Sequence, residues 1–271
     1  HISGKPGSGK STLMKYICQH KATEKHLKLW STNKALVLAR SFFWKHGRTL
    51  QSFRGLVRGL LHSILSQWLE LIPLLFPKQW QAALSGLRPV IDDDHEVFEA
   101  FRKLRETDSV SLTHRIAIFI DGIDEFEGNR AHMIESLKDW ISCRSADVKI
   151  CVASREDIDL QEAFKTGPML RLHEVTHEDI LSFLYPKMGT SDQKQRLETE
   201  IAYKSEGVFL WVKLTIQRVE HSILSGDALE DRRKRLGSLP NELEDLCMAI
   251  SVAIDRDEPK SAYSMILMAL Y

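Results

Sequence analysis

The first half of the chain alternates short apolar runs with stretches in which apolar side chains recur every three or four residues. Residues 35–39, 116–120 and 148–152 form the apolar runs, which are typical of strands buried on both faces of a sheet. The helical patterns cover residues 12–18, 50–68, 97–104 and 131–141. Strands that alternate with helices predict an α/β fold whose parallel sheet has helices on both faces.

Two further features of this pattern concern its boundaries. Pro73 and Pro77 follow the longest helical stretch, and we expect them to end that helix. After about Arg171 the patterns are helical almost without interruption, beginning with a capping-box-like start at Thr176. The sequence therefore predicts a smaller helical domain beside the α/β core.

A glycine-rich segment at residues 4–11 matches the phosphate-binding pattern G-x-x-x-x-G-K-[ST]. Its glycines allow the backbone to curl so that successive N–H groups face phosphate oxygens. Lys10 would place a charge near the β- and γ-phosphates, and the Ser11 hydroxyl would bind Mg²⁺. The residues expected to contact a nucleoside triphosphate are Gly4, Pro6, Gly7, Ser8, Gly9, Lys10, Ser11 and Thr12.

Three acidic residues follow the apolar run at 116–120. Asp121 stands at the carboxyl end of this predicted strand, where ligands bind in open α/β sheets, and could hold Mg²⁺ opposite Ser11. Asp124 and Glu125 come three and four positions later and could polarise a water aimed at the γ-phosphate. Acids after Asp-Gly are also ordinary turn residues, but the phosphate-binding loop favours the catalytic interpretation.

Ser154 and Arg155 directly follow the predicted strand at 148–153. A cation at the tip of a neighbouring strand can contact the γ-phosphate and report its presence, so Arg155 is a candidate sensor. The alternative is a surface arginine that happens to follow a strand.

Composition and residue spacing argue against several other classes. Lys and Arg number 37, as do Asp and Glu, and the resulting zero net charge argues against nucleic-acid binding. The four cysteines form no C-x-x-C pair, which favours reduced, buried thiols in a cytoplasmic protein. His173 and His177 lack acidic or cysteine partners for zinc, and the acidic run at 92–94 is typical of a solvated turn. No apolar run is long enough to cross a membrane.

Four segments together carry a family resemblance: residues 4–12, 118–126, 150–155 and 207–212. They resemble the NACHT-type STAND NTPases, most closely the fungal members grouped with the nephrocystin-like N-terminal domain. The D-G-x-D-E sequence at 121–125 is the most discriminating part, because AAA+ motors usually have Glu directly after the strand-end Asp. The resemblance covers essentially the whole chain.

This resemblance implies a P-loop core of the additional-strand class, with one strand inserted between the loop strand and the Asp121 strand. The interval between Lys10 and Asp121 is long enough to supply it. The implied domains are a nucleotide-binding (NACHT) domain at 1–170, a small helical domain at 171–239 and the start of a winged helix at 240–271. Only three residues precede the loop, so we expect a fragment of a longer protein.

The resemblance also implies a function, namely a cytoplasmic signalling switch that binds Mg²⁺ and ATP, hydrolyses ATP slowly and self-associates when active. Its effector and sensor domains would lie outside this sequence. ATP is favoured over GTP because no N-K-x-D guanine signature is present. The alternatives are a conventional ATPase, kinase or nucleic-acid motor, or a nucleotide-binding scaffold without turnover. For a kinase lid the single candidate is the basic run at 231–235, which is more typical of a solvated face.

Overall fold

The structure is a computed structural model that describes residues 1–43, 52–91, 93–188, 192–224 and 236–248. Contacts divide the chain into two compact units. The first combines His1–Ser3 with Ser11–Met169, and the second combines Gly4–Lys10 with the described residues from Leu170 onward. The predicted domain boundaries after 170 and 239 stay a prediction. Leu50, Asp92 and the basic run at 231–235 lie outside the described residues.

The first unit alternates strands and helices, as the apolar pattern predicts. Its elements are β1 (Ile2–Ser3), α1 (Lys10–Gln19), α2 (Lys21–Ser31), β2 (Ala35–Phe42), α3 (Phe53–Leu65), α4 (Ile72–Leu75), α5 (Pro77–Leu84), α6 (Asp94–Glu106), α7 (Asp108–Thr113), β3 (His114–Asp121), α8 (Arg130–Cys143), β4 (Val148–Ser154) and α9 (Ile158–Phe164). Short 3₁₀ turns cover Leu69–Leu71 and Ile123–Glu125.

The strands of this unit are parallel and lie in the order β2-β3-β4-β1. One strand therefore separates the loop strand β1 from the Asp121 strand β3, which confirms the additional-strand class. The predicted position of that strand in the sequence was wrong, because the inserted strand is β4, which follows Asp121 in the chain. The strand supplied by the interval between Lys10 and Asp121 is β2, which pairs with the other side of β3. Segment length alone cannot determine strand order, since pairing is set by long-range packing.

The first unit has one large core built around β3, whose residues from Ile116 to Asp121 are all buried. Helix α3 covers part of this sheet, with Leu60 and Ile64 fully buried. The prediction that prolines end this helix was wrong. Helix α3 already ends at Leu65, and Pro73 and Pro77 lie in the first turns of α4 and α5. The first turn tolerates proline because the missing N–H would have no partner inside the helix.

Ser63 of α3 and Gln67, just after this helix, form side-chain hydrogen bonds with the backbone of β2 at its edge away from β3. Leu38 donates its N–H to Gln67 Oε1 at 3.1 Å, and Gln67 Nε2 donates to the Leu38 carbonyl at 2.7 Å. The Arg40 N–H donates to Ser63 Oγ at 3.2 Å. An unpaired strand edge is a template for another strand, so these bonds protect the sheet from edge-to-edge association.

The second unit is mainly helical. Its described elements after the loop are β5 (Leu170–Arg171), α10 (Leu172–Val175), α11 (His177–Met188), α12 (Asp192–Lys204), α13 (Phe209–Leu224) and helical residues at 236–238 and 243–248. Trp211 is fully buried in its core and donates its indole N–H to the Pro240 carbonyl at 2.8 Å. Across the ranges described above, no helix has the length and apolar character that a membrane span requires.

The packing of α3 gives a first prediction. Leu60→Ala should lower the free energy of unfolding by about 2–5 kcal/mol, because it removes a fully buried side chain from the core and leaves a cavity. Leu69→Ala is the matched control, since Leu69 is largely exposed and its truncation should change stability by less than about 0.5 kcal/mol. Urea unfolding followed by circular dichroism measures both, and equal losses would contradict the assigned core.

Candidate functional site

The glycine-rich loop has the curled backbone that its sequence predicts. Gly7 and Gly9 have φ values of 72° and 97°, in the left-handed region that side chains disfavour. The Lys10 ammonium group donates to the carbonyl oxygens of Gly4 at 2.8 Å and Lys5 at 3.0 Å, which closes the loop on itself. The loop leaves β1 at Gly4 and enters α1 at Lys10, the strand–loop–helix context that the motif requires.

The loop also packs within the second unit, and sequence reasoning missed these contacts. The Gly7 carbonyl accepts the N–H of Leu210 at 3.0 Å, in the first turn of α13. A Cβ at Gly7 would lie 2.9 Å from Leu210 Cβ and 2.8 Å from Leu243 Cδ2. Lys5 forms an ion pair with Glu206. The segment at 207–212, noted above only for its resemblance, therefore includes a direct neighbour of the loop.

Asp121 lies at the carboxyl end of β3, as predicted, and only 5% of its surface is exposed. Its register partner on β4 is Ala153, which in turn pairs with Ile2 on β1. The backbone around Asp121 is fixed, because its carbonyl accepts the Phe43 N–H at 2.9 Å and the Gly122 N–H donates to Ala153 at 3.0 Å. Asp121, at the end of β3, and Ser3, at the end of β1, therefore lie at the same edge of the sheet, on either side of β4.

A tight turn follows Asp121 and carries the next two acids. Gly122 adopts a left-handed conformation with φ 73° and ψ 32°, and a Cβ there would lie 3.3 Å from the Phe43 carbonyl. The chain then forms the 3₁₀ turn Ile123–Glu125, whose first side chain is fully buried. The Glu125 N–H donates to the Gly122 carbonyl at 2.8 Å. The D-G-x-D-E sequence thus fixes the directions of Asp124 and Glu125.

Asp124 and Arg155, both named as candidates from the sequence, form a pair. The Arg155 backbone N–H donates to Asp124 Oδ1 at 3.0 Å, and Arg155 Nε lies 3.3 Å from Asp124 Oδ2. The side chain of Asp124 is 11% exposed and that of Arg155 is 45% exposed. Both carboxylate oxygens of Asp124 are therefore engaged, whereas the guanidinium group remains accessible to solvent.

Ser154 lies behind this pair and has a structural role in these contacts. It is fully buried, its hydroxyl donates to the Arg155 carbonyl at 2.7 Å, and His1 Nε2 lies 2.8 Å from the Ser154 hydroxyl oxygen. Ser154 is thus the buried last residue of β4, whereas the side chain of Arg155 just after it is partly exposed.

Sequence reasoning missed two charged residues that join this edge. Arg130, the first residue of α8, donates to the Asp124 carbonyl at 2.6 Å and to Asp157 Oδ2 at 2.8 Å. Asp157 caps α9 with its other oxygen. The N-cap signal of Asp157 was readable from the sequence, but the pairing with Arg130 depends on tertiary contact.

The thiol nearest to the loop along the chain is not activated. Burial raises the pKa of Cys18 on α1 to about 11, with a smaller opposing effect of Arg40. The thiol is therefore protonated at neutral pH and a poor nucleophile. Cys143 is exposed, in contrast to the expectation of buried thiols, and none of the four cysteines, all within the described ranges, forms a disulfide.

The residues present fit a magnesium–phosphate ligand. Ser8 Oγ is buried in the loop and has no hydrogen-bond partner among the residues described, so a phosphate oxygen could satisfy it. In the same ranges, no group of three or more His, Cys, Asp or Glu side chains could hold a metal ion. Magnesium suits such a site because it keeps several waters and takes its remaining oxygens from one or two protein groups and phosphates.

The strand order, the loop after β1 and the acid at the end of β3 define an α/β P-loop NTPase core. The sequence pattern of the family described as "Nephrocystin 3, N-terminal" matches residues 1–155, and the chain belongs to this family. The predicted resemblance to the nephrocystin-like N-terminal domain is thereby confirmed.

A solved structure, "Structure of Drosophila ORC bound to DNA", has the same fold. The match has a TM-score of 0.54 at 13% sequence identity and covers 98% of this chain and 66% of that chain. This chain therefore spans about two thirds of that solved chain. No curated protein matches the sequence.

The turn at Gly122 gives a second prediction. Gly122→Ala should lower the free energy of unfolding by about 1–2 kcal/mol, because an L-residue is strained in the left-handed region. Gly59→Ala is the matched control, since Gly59 lies in α3 with room for a Cβ, and alanine should stabilise the helix by about 1 kcal/mol. Thermal unfolding of both variants measures the effects. A neutral Gly122→Ala would contradict the assigned turn.

Proposed function

We propose that this protein is a nucleotide-operated signalling switch of the NACHT-type STAND class, which binds Mg²⁺ with ATP and hydrolyses ATP slowly. The observation that carries the proposal is the sheet register. The phosphate-binding loop begins directly after β1, and Asp121 ends β3, which is separated from β1 by β4. In open α/β sheets this edge is where ligands bind.

The binding residues follow from the loop. In this proposal, the backbone N–H groups of Gly7, Gly9 and Lys10 donate hydrogen bonds to phosphate oxygens. Pro6, Ser8 and Thr12 make the remaining contacts with the nucleotide. The Lys10 ammonium group lies within the curve of the loop, where phosphate oxygens could replace the Gly4 and Lys5 carbonyls. Gly4 allows the start of the loop to lie close to the Ser8 side chain, because a Cβ at position 4 would lie 2.9 Å from Ser8 Oγ.

The catalytic roles follow from the sheet edge. Bound Mg²⁺, held by Ser11 and Asp121, would neutralise charge on the β- and γ-phosphates. Glu125, which follows Asp124 in the same 3₁₀ turn, is the candidate for orienting the attacking water, and Asp124 is paired with Arg155. Asp124 then acts through Arg155, whose exposed guanidinium group would contact the γ-phosphate.

A switch needs contacts that differ between the triphosphate and diphosphate states, since only differential binding shifts a conformational equilibrium. Arg155 supplies such a contact, because a γ-phosphate would compete with Asp124 for the same cation. By resemblance to the STAND class, the active form would self-associate and signal through effector and sensor domains of a longer cytoplasmic protein. ATP is favoured over GTP because of the missing guanine signature.

The first test of this function is Lys10→Ala. It should weaken binding of labelled ATP in the presence of Mg²⁺ by about a hundredfold, because a charge-assisted contact to phosphate is lost. Lys25→Ala, which removes an exposed lysine from α2, is the matched control and should bind normally. Equal binding by Lys10→Ala and the control would show that the loop is not the site, and a parallel titration with GTP identifies the preferred base.

The second test is Glu125→Gln, which keeps the size of the side chain and removes its basicity. It should bind ATP like the parent protein and lower the hydrolysis rate by about 10²–10⁴, the usual range for general-base catalysis. Glu127→Gln is the control, because Glu127 is exposed just outside the 3₁₀ turn.

The parent protein's own turnover separates the remaining functions. Turnover within minutes or slower supports a switch, whereas fast turnover would favour a conventional ATPase or kinase. Tight binding without any turnover would favour a scaffold. An unchanged rate in Glu125→Gln would exclude Glu125 as the base.

A further inference from the structure

Arg130 occupies a position that helix stability does not explain. It is the first residue of α8, where the helix dipole disfavours a cation, and Asn129 already caps this helix by accepting the His132 N–H. Its guanidinium group instead makes two separate hydrogen bonds, to the Asp124 carbonyl at 2.6 Å and to Asp157 Oδ2 at 2.8 Å. Arg130 therefore joins the turn that follows β3 to the turn that follows β4.

Asp157 is a fixed anchor for this bridge. Its Oδ1 atom accepts the N–H groups of Asp159 at 3.0 Å and Leu160 at 3.2 Å, which caps α9. Its own N–H donates to the Arg155 carbonyl at 2.9 Å. Both carboxylate oxygens and the backbone of Asp157 are thus used, so Asp157 cannot shift without disturbing α9 or the Arg155 backbone.

The bridge acts on the pair that would contact nucleotide. Asp124 is held through its carbonyl by Arg130 and through its carboxylate by the N–H and Nε of Arg155. A displacement of the Asp124 backbone would therefore move the Arg155 guanidinium group, whose exposed surface faces solvent. The two acids and two arginines of this network balance in charge, and Arg155 takes part in it through Asp124.

We propose that Arg130, anchored by Asp157, is a positioning residue that fixes Asp124 and through it the Arg155 guanidinium group. This proposal rests on the proposed function, because it assigns to Arg130 the control of how the site distinguishes a triphosphate from a diphosphate. In this role Arg130 acts through Asp124 and not by contact with phosphate. Its removal should therefore affect γ-phosphate recognition and turnover and leave the affinity for the diphosphate unchanged.

The test compares Arg130→Ala, Arg130→Lys and a matched control, Arg102→Ala. Arg102 is a paired surface arginine on α6, bound to Glu99 and Glu106. In Arg130→Ala the hydrolysis rate should fall about tenfold or more, because a misplaced contact group loses much of its effect. The ratio of ATP affinity to ADP affinity should fall. The dissociation constant for ADP should stay within about twofold of the parent value, a smaller change than the loss of a direct charged contact would cause. The hydrolysis rate and affinity ratio of Arg130→Lys should lie between those of the parent protein and Arg130→Ala, since an ammonium group can bind one of the two acceptors.

A second measurement keeps this inference separate from the proposed function. Amide hydrogen exchange of the ligand-free protein reports the Arg155 N–H, which Asp124 Oδ1 accepts. Exchange at Arg155 should be faster in Arg130→Ala and unchanged in Arg102→Ala. A parent protein that binds no nucleotide would refute the proposed function, and with it the assigned control of nucleotide recognition, even if the exchange result holds.

Three outcomes would overturn the positioning role directly. The first is unchanged exchange at Arg155 in Arg130→Ala, which would show that Arg130 does not hold the pair. The second is an unchanged rate and affinity ratio in that variant. The third is an equal loss of ADP and ATP affinity, which would indicate general damage to the fold.

Discussion

The pairing of β4 between β1 and β3 is the constraint on which the rest of the site depends. Parallel strands in register end at a common edge, so Ile2, Ala153 and Asp121 bring three chain segments to one line. The phosphate-binding loop, the acidic 3₁₀ turn and Arg155 each begin within a few residues of that line. The side chains that hold these strands together are buried on both faces of β3, so the edge is positioned by the core.

Charge pairing then determines the arrangement beyond the strand ends. An exposed ion pair contributes little to stability, but Asp124 is mostly buried and its backbone and carboxylate are both held by arginines. Such a network fixes the directions of its charged side chains more than it adds stability, because several donors and acceptors hold each of these side chains. The exposure of Arg155 is consistent with this view, since a cation buried for stability would be shielded from any ligand.

The features encoded in contiguous residues could be predicted from the sequence. The loop at 4–11, the buried strand ending in Asp121 and the strand before Arg155 are local patterns of glycine, apolar and charged residues. The identity of the inserted strand was not predictable, because β4 pairs with both neighbours through long-range contacts. The same reason hides the Arg130–Asp157 bridge and the hydrogen bond from Leu210 to Gly7, which join residues far apart in the chain.

The D-G-x-D-E sequence can also account for two neighbouring acids with different directions. Gly122 allows the left-handed step that ends the strand, and the buried Ile123 anchors the turn that follows. Successive residues of a 3₁₀ turn differ by about 120° around its axis, since it has about three residues per turn. When Asp124 is directed at Arg155, Glu125 must be directed elsewhere. A single short turn directly after the strand that ends at Asp121 therefore gives its two acids different directions, with Asp124 directed at Arg155.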